Sequence, residues 1–218
     1  RLQGLLSEAE IAEVIDFAHS LWELEVAGHG ERDAQRQRQQ KGSCWRTAYL
    51  HTGGLFSQRF PSLESRLRRA FFETDAAHWR VLQGRDPSRL NFRTVECHEY
   101  GPTGQLTSKG HYDAGSLITL DIMLSAPGVD FQGGELAMPE PGGSMRKADM
   151  GKGDAVMFLS HKYHNVMPVV EGERVVLVLE LWDGPQRTCP HRCLSVGPCE
   201  ESLTLPLDRM GARRKRFA

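Results

Sequence analysis

Near the start of the chain, Ile11, Val14, Ile15, Ala18, Leu21 and Trp22 recur at helical spacing behind Ser7 and Glu10, which stand in the relation of a capping box. The pattern predicts an amphipathic helix from Ser7 to Trp22. A second helix is predicted between Ser62 and Trp79, with Leu63, Leu67, Ala70, Phe71 and Trp79 on one side and Arg66, Arg68 and Arg69 mostly on the other. Between them, Glu31 to Lys41 is polar throughout, has no apolar face and reads as a solvated loop. From Asn91 onward the pattern changes to short apolar runs bounded by Gly and Pro: Phe92 to Glu99, Leu117 to Leu124, Gly134 to Met138, Ala155 to Ser160 and Arg174 to Trp182. These are the marks of strands. In the second run, Thr119, Asp121 and Met123 share one face while Ile118, Leu120, Ile122 and Leu124 share the other, so one wall is polar enough to line a cavity. A barrel or sandwich with a working interior, buttressed by the two helices, is the expected architecture.

At 218 residues, 39% hydrophobic and 25% charged, the chain can bury one substantial core, which excludes disorder as its main theme and predicts a single domain. Within it, 1–90 reads as helical support, 91–183 as the β core and 184–218 as a cysteine-containing extension. Lys plus Arg number 27 against 28 Asp plus Glu, a net charge of -1, so no global basic field exists to hold nucleic acid or an anionic membrane. The basic run Arg213 to Arg216 reads as a solvated tail. The longest apolar run, Val175 to Leu179, falls far short of the ~20 residues of a membrane helix, which predicts a soluble protein. Its compartment is left open between cytoplasm and a secretory lumen, as is its oligomeric state.

His111 and Asp113 lie two residues apart between strand-like runs, so in extended geometry both point to the same side and can chelate one ion. Alone, the triplet is equally well a turn with an Asx hydrogen bond. His164, beyond the end of the apolar run Ala155 to Leu159, supplies a second imidazole. Two histidines and a carboxylate on separate strands are the ligand set that leaves one face of an iron(II) ion open. Arg174 opens the last strand, where its side chain can reach the same interior, and a guanidinium there suits a carboxylate bidentately. The alternative for an isolated arginine is surface pairing with Glu171 or Glu173. Tyr112 and Asn165, beside ligands on extended chain, point the other way and read as rim or packing residues.

Several stretches together resemble the iron(II) and 2-oxoglutarate dependent dioxygenases of the prolyl and lysyl hydroxylase group. They are Tyr100 with its Gly-Pro turn, His111-Tyr112-Asp113-Ala114-Gly115, Gly128-Val129-Asp130-Phe131-Gln132-Gly133-Gly134-Glu135-Leu136, and the run from Gly153 through His164 to Arg174. The resemblance implies a double-stranded β-helix of jelly-roll, cupin-like type with the N-terminal helices packed on the major sheet. It implies that His111, Asp113 and His164 bind iron and carry the catalysis, and that Arg174 binds the distal carboxylate of 2-oxoglutarate. Tyr100 and Thr119 would add hydrogen bonds to that cosubstrate. His161 is a rival ligand, ranked below His164 because the family-like spacing to Arg174 runs from His164. Prolyl 4-hydroxylases usually place Lys at the position of Arg174, which tilts the comparison toward lysyl hydroxylases.

The implied reaction consumes O2, releases succinate and carbon dioxide and hydroxylates an unactivated C–H bond, with ascorbate a candidate reductant. A peptide or protein side chain is the favoured substrate. A small metabolite or a nucleic-acid base is the alternative, since one metal scaffold serves all three, with nucleic acid disfavoured. A jelly-roll module that holds metal without catalysis is the third reading, and a carboxylate clamp argues against it.

Of the five cysteines, Cys189, Cys193 and Cys199 crowd together around His191. These are four soft ligands for a tetrahedral zinc, but the loop is short enough to predict poor zinc geometry. A disulfide, with Cys44 or Cys97 as a further partner, or free thiols are therefore the expectation.

Overall fold

Helix α1 (Glu8–Gly28) begins where the capping box predicts. The Glu10 carboxylate accepts from the Ser7 backbone N–H and hydroxyl, each at 2.9 Å, and the Glu10 N–H donates back to Ser7 Oγ at 3.4 Å. Arg66 joins from a later helix at 2.8 Å. Its hydrogen bond holds the Glu10 carboxyl down at about 2, with partial burial opposing and Ser7 assisting. Between about 2 and the ordinary 4.5 the unfolded chain binds a proton that the folded chain does not, so this contribution is present above the window and lost as pH falls through it. Glu10→Gln is expected to cost about 1 kcal/mol at neutral pH. The difference from the parent should vanish as urea midpoints are measured at pH values descending through that window.

A computed structural model of the protein describes residues 1–28, 45–106 and 111–204, with side chains in the first stretch described through 22. The polar run Glu31 to Lys41, Cys44 and the basic tail Arg213 to Arg216 lie outside the described residues. Strand β1 (Trp45–Tyr49) is followed by a short helix α2 (Leu55–Arg59) and by α3 (Pro61–His78), which matches the second predicted helix. Pro61 suits the first turn of α3, where its missing N–H has no partner to lose. Then come β2 (Leu90–Tyr100), β3 (Ile118–Met123), β4 (Phe131–Gly133), β5 (Leu136–Pro139) and β6 (Met145–Lys147). The remaining strands are β7 (Ala155–Leu159), β8 (Asn165–Val166), β9 (Val169–Gly172) and β10 (Arg174–Asp183).

The protein is mainly β, with antiparallel sheets and a few helices. The large sheet runs β1-β2-β10-β3-β7, and two small sheets, β6-β5-β8 and β4-β9, complete it. Period-two alternation divides the large sheet's faces. Val95, Cys97, Ile118, Leu120, Ile122, Leu177, Leu179 and Leu181 pack with Val14, Phe17, Leu63, Leu67 and Phe71 of the helices. On the other face, Tyr100, Met123 and Val176 meet Phe131, Leu136, Val166 and Val169 of the small sheets. Two layers thus leave a space between the sheets. The turn leaving β4 needs its glycines: Gly133 and Gly134 have φ of +76° and +66°, and a Cβ on Gly134 would stand 2.9 Å from Arg174 Cδ. The Gly-Gly pair of the sequence motif therefore lets the chain lie against the arginine stem.

One expectation does not hold. The loop after β10 is not too short to gather its soft ligands, because it coils rather than runs past them. Cys189, His191, Cys193 and Cys199 come within 4.8 Å of one another. The cysteines are free thiols, as is Cys97, buried in β2. Burial pushes the Cys97 thiol up to about 12. Among the described residues no helix is long and apolar enough to cross a membrane.

Candidate active site

Two backbone hydrogen bonds stitch the segment before β3 to the segment after β7. Asp113 N–H donates to Ser160 O at 2.8 Å and His164 N–H to His111 O at 3.1 Å. Through them His111, Asp113 and His164, distant in the chain, bring one ligand atom each within 4.8 Å of the others. Asp113 Oδ1 is 3.6 Å from His111 Nε2 and 3.8 Å from His164 Nε2. His164 Nδ1 lies 3.1 Å from the Lys162 carbonyl. A carbonyl only accepts, so Nδ1 carries the proton and the Nε2 lone pair is left facing the other two groups. Burial pushes the His164 imidazole down despite Asp113, keeping it neutral and able to ligate.

The third group is fixed in turn. Asp113 Oδ2 accepts from Thr119 Oγ1 at 2.6 Å, and Thr119 Oγ1 lies 2.9 Å from Ser160 Oγ. Burial opposes ionisation of Asp113, but the His111 hydrogen bond, the His164 ring and Thr119 outweigh it and hold the carboxyl below its ordinary value. Thr119 has one hydroxyl proton, committed to Asp113. Thr119→Val, which keeps the shape and removes that proton, is expected to weaken affinity for a divalent metal by about 10–100-fold. Titration with manganese(II) followed by its electron spin resonance checks this.

Arg174 is 0% exposed, yet its Nε, Nη1 and Nη2 have no hydrogen-bond partner among the described residues. Among the described residues its ion pair is with Asp121, at 3.8 Å from Nη2, rather than with Glu171 or Glu173. Asp121 is itself buried, and burial pushes its carboxyl up against the pull of Arg174. The Arg174 guanidinium carbon stands 5.4 Å over the Tyr100 ring. A buried fork of donors without a hydrogen-bond acceptor among the described residues is costly to leave so, and it fits a planar carboxylate entering the space before it. That space is a cavity of about 370 Å³, lined by His111, Asp113, His164, Arg174, Tyr100 and Thr119 together with Asp121. His161 is exposed and lines a different cavity.

The fit to a metal follows from the donor set. Two imidazoles and one carboxylate on a common side of a half-enclosed cavity leave coordination positions open, the arrangement suited to a non-haem ferrous ion. Further residues lining the cavity had escaped the sequence pattern: Trp45, Thr47 and Tyr49 of β1, Glu96 and His98 of β2, Glu180 of β10, and Arg192. His98 bridges Thr47 Oγ1 at 2.8 Å and Glu96 Oε2 at 3.0 Å. Arg192 donates to Glu180 through Nε at 2.6 Å and Nη2 at 2.8 Å. For the β2 residues the signal was the alternation of Glu96, His98 and Tyr100 with the apolar Val95 and Cys97.

No family model matches the chain. The collagen prolyl hydroxylase of Paramecium Bursaria Chlorella virus-1, solved as its 2OG complex, superposes with a TM-score of 0.53 at 19% identity, over 82% of this chain and 91% of the viral one. The chain has the prolyl hydroxylase fold. A truncated form of the same viral protein gives a TM-score of 0.50 at 18% identity, over 82% of this chain and 86% of the other. A PKHD-type hydroxylase of Idiomarina loihiensis is 40% identical over 53 residues, a match spanning 24% of each chain. The likeness is thus one of fold to the viral enzyme and of a short segment to the bacterial one.

Proposed function

We propose that this protein is an iron(II)- and 2-oxoglutarate-dependent dioxygenase, built on a double-stranded β-helix, that hydroxylates an unactivated C–H bond of a peptide or protein side chain. The observation that carries the reading is the meeting, in one cavity, of the His111, Asp113 and His164 ligand atoms with the buried guanidinium of Arg174, whose nitrogens make no hydrogen bond among the described residues. A metal-binding module without catalysis has no use for that guanidinium. The viral neighbour is a collagen prolyl hydroxylase, which supports a peptide substrate.

In this reading His111, Asp113 and His164 hold iron(II), with the Lys162 carbonyl orienting the His164 ring and Thr119 orienting the Asp113 carboxylate. Bound iron with 2-oxoglutarate supplies the oxidising power, oxygen being consumed as the cosubstrate becomes succinate and carbon dioxide. Arg174 takes the distal carboxylate of 2-oxoglutarate in its fork and so fixes the rest of that molecule against the metal. Tyr100 forms the wall beside it. Phe158, Leu136, Val166 and Val176 line the same cavity with apolar surface and exclude water from the reacting centre. At the rim, Tyr112 and Tyr163, both exposed, meet edge to face at 5.6 Å beside the ligands and offer an aromatic platform to an extended peptide.

The test is succinate release with iron(II) and 2-oxoglutarate, stimulated in turn by peptide, metabolite and nucleic-acid pools. Stimulation by peptides, with a product heavier by one oxygen atom, is the expected result. No succinate with any pool would sink the catalytic reading, and stimulation confined to another pool would sink the substrate class.

A further inference from the structure

Beyond β10 lies a cluster that the proposed reaction leaves unused. Cys189, Cys193 and Cys199 each direct a free thiol toward His191, and the four ligand atoms lie within 4.8 Å of one another. Cys199 Sγ is 3.8 Å from His191 Nε2. The other ring nitrogen, Nδ1, lies 3.1 Å from Glu201 Oε2. Ligands of a tetrahedral zinc, with Zn–S of about 2.3 Å and Zn–N of about 2.0–2.1 Å, stand about 3.6–3.8 Å apart, so little contraction closes the cluster around an ion. A carboxylate on the far nitrogen of a ligating histidine is the outer partner that such a ring ordinarily has. A disulfide would use two of the sulfurs and leave the third, the imidazole and its carboxylate without a role.

The geometry points to a closed, structural zinc(II) site formed by Cys189, His191, Cys193 and Cys199, with Glu201 orienting the histidine. Four protein ligands leave no open position, so the ion serves architecture. Thiolate donors select it against the hard ions and distinguish it from the two-histidine, one-carboxylate set in the cavity. The knot is tied to the cavity wall. Arg192, between two of the ligands, donates from Nη2 to the Ala114 carbonyl at 3.1 Å, next to Asp113, as well as to Glu180. From the sheet, Arg93 Nε donates to the Cys193 carbonyl at 2.7 Å. Zinc would thus hold Arg192 in the cavity. The site is independent of the dioxygenase reading.

Elemental analysis of the full chain, purified without chelator, tests it. About one zinc per chain is expected, and the His111→Ala protein should retain it, which separates this ion from any zinc lodged in the cavity. His191→Ala and Cys199→Ser should lose it. His191→Cys should keep it, a fourth sulfur replacing the nitrogen, and because Cys199 is partly exposed its serine variant probes the site without emptying a core position. Glu201→Gln should still load, with affinity weaker by about 10–100-fold. Cobalt(II) in place of zinc should give thiolate charge-transfer and tetrahedral ligand-field bands, absent from Cys199→Ser. The proposal is overturned by less than about a tenth of an equivalent of zinc in the parent chain, by full zinc in both His191→Ala and Cys199→Ser, or by a disulfide among these cysteines in peptides alkylated without reduction.

Discussion

The His111→Ala protein is expected to release succinate at least about a thousand-fold more slowly than the parent, the several kcal/mol that a catalytic metal contributes. His111 is the least buried of the three groups, its side chain 31% exposed against 8% for His164. Its removal should therefore leave the urea midpoint nearly unchanged, so the loss reports on the metal and not on folding. Anaerobic addition of iron(II) and 2-oxoglutarate to the parent should give a weak visible charge-transfer band, and the variant should give none. Because the three ligands act as a unit, adding His164→Ala should slow the reaction little further. Succinate release persisting within about tenfold of the parent would remove His111 from the ligand set.

Arg174→Met should act on the cosubstrate. Truncating one partner of a buried charge pair costs about 2–5 kcal/mol, so the 2-oxoglutarate concentration for half-saturation should rise from about thirtyfold to several thousandfold. Asp121, which burial already pushes toward its neutral form, can take up a proton once the guanidinium is gone, so the fold should tolerate the change better than the affinity does. Arg174→Lys keeps a charge but not the planar fork and should fall between the two. Titration calorimetry with 2-oxoglutarate, alongside succinate kinetics, separates lost binding from lost turnover. A shift of less than about threefold in the methionine variant would mean that the carboxylate is held elsewhere.

What could be read from the chain alone follows from how local each signal is. The two helices and the faces of β3 were legible because period and face are carried by neighbouring residues: Thr119 and Asp121 do face the cavity, and Ile118, Leu120 and Ile122 the helices. The His111 and Asp113 pair and the later His164 stood out by residue type and spacing. Thr47, Glu96, His98 and Glu180 did not, because a polar residue in a strand reads as facing solvent until the register lays it beside another. Here Thr47 stands opposite His98, and Glu180 opposite Thr119. Strands β4, β6, β8 and β9 were missed for being short, and β1 because its Trp45-Arg46-Thr47-Ala48-Tyr49 carries no apolar run; the existence of all five depends on partners rather than on their own pattern. The cysteine loop was misjudged because its shape is imposed from outside, by Arg93 on Cys193 and by the Gly53 N–H on the Thr188 carbonyl.

The strict division of the large sheet has a bearing on how the chain finds its native state. Sliding β10 by a single position against β2 and β3 would bury the charges of Arg174 and Glu180 beneath the helices and turn Val175, Leu177 and Leu179 toward the opening. Most side chains on that side are apolar, so misaligned pairings are penalised well before any ligand binds. Chemistry and strand alignment therefore draw on the same side chains, and a homologue that discarded the former would also have to find another way of holding the latter.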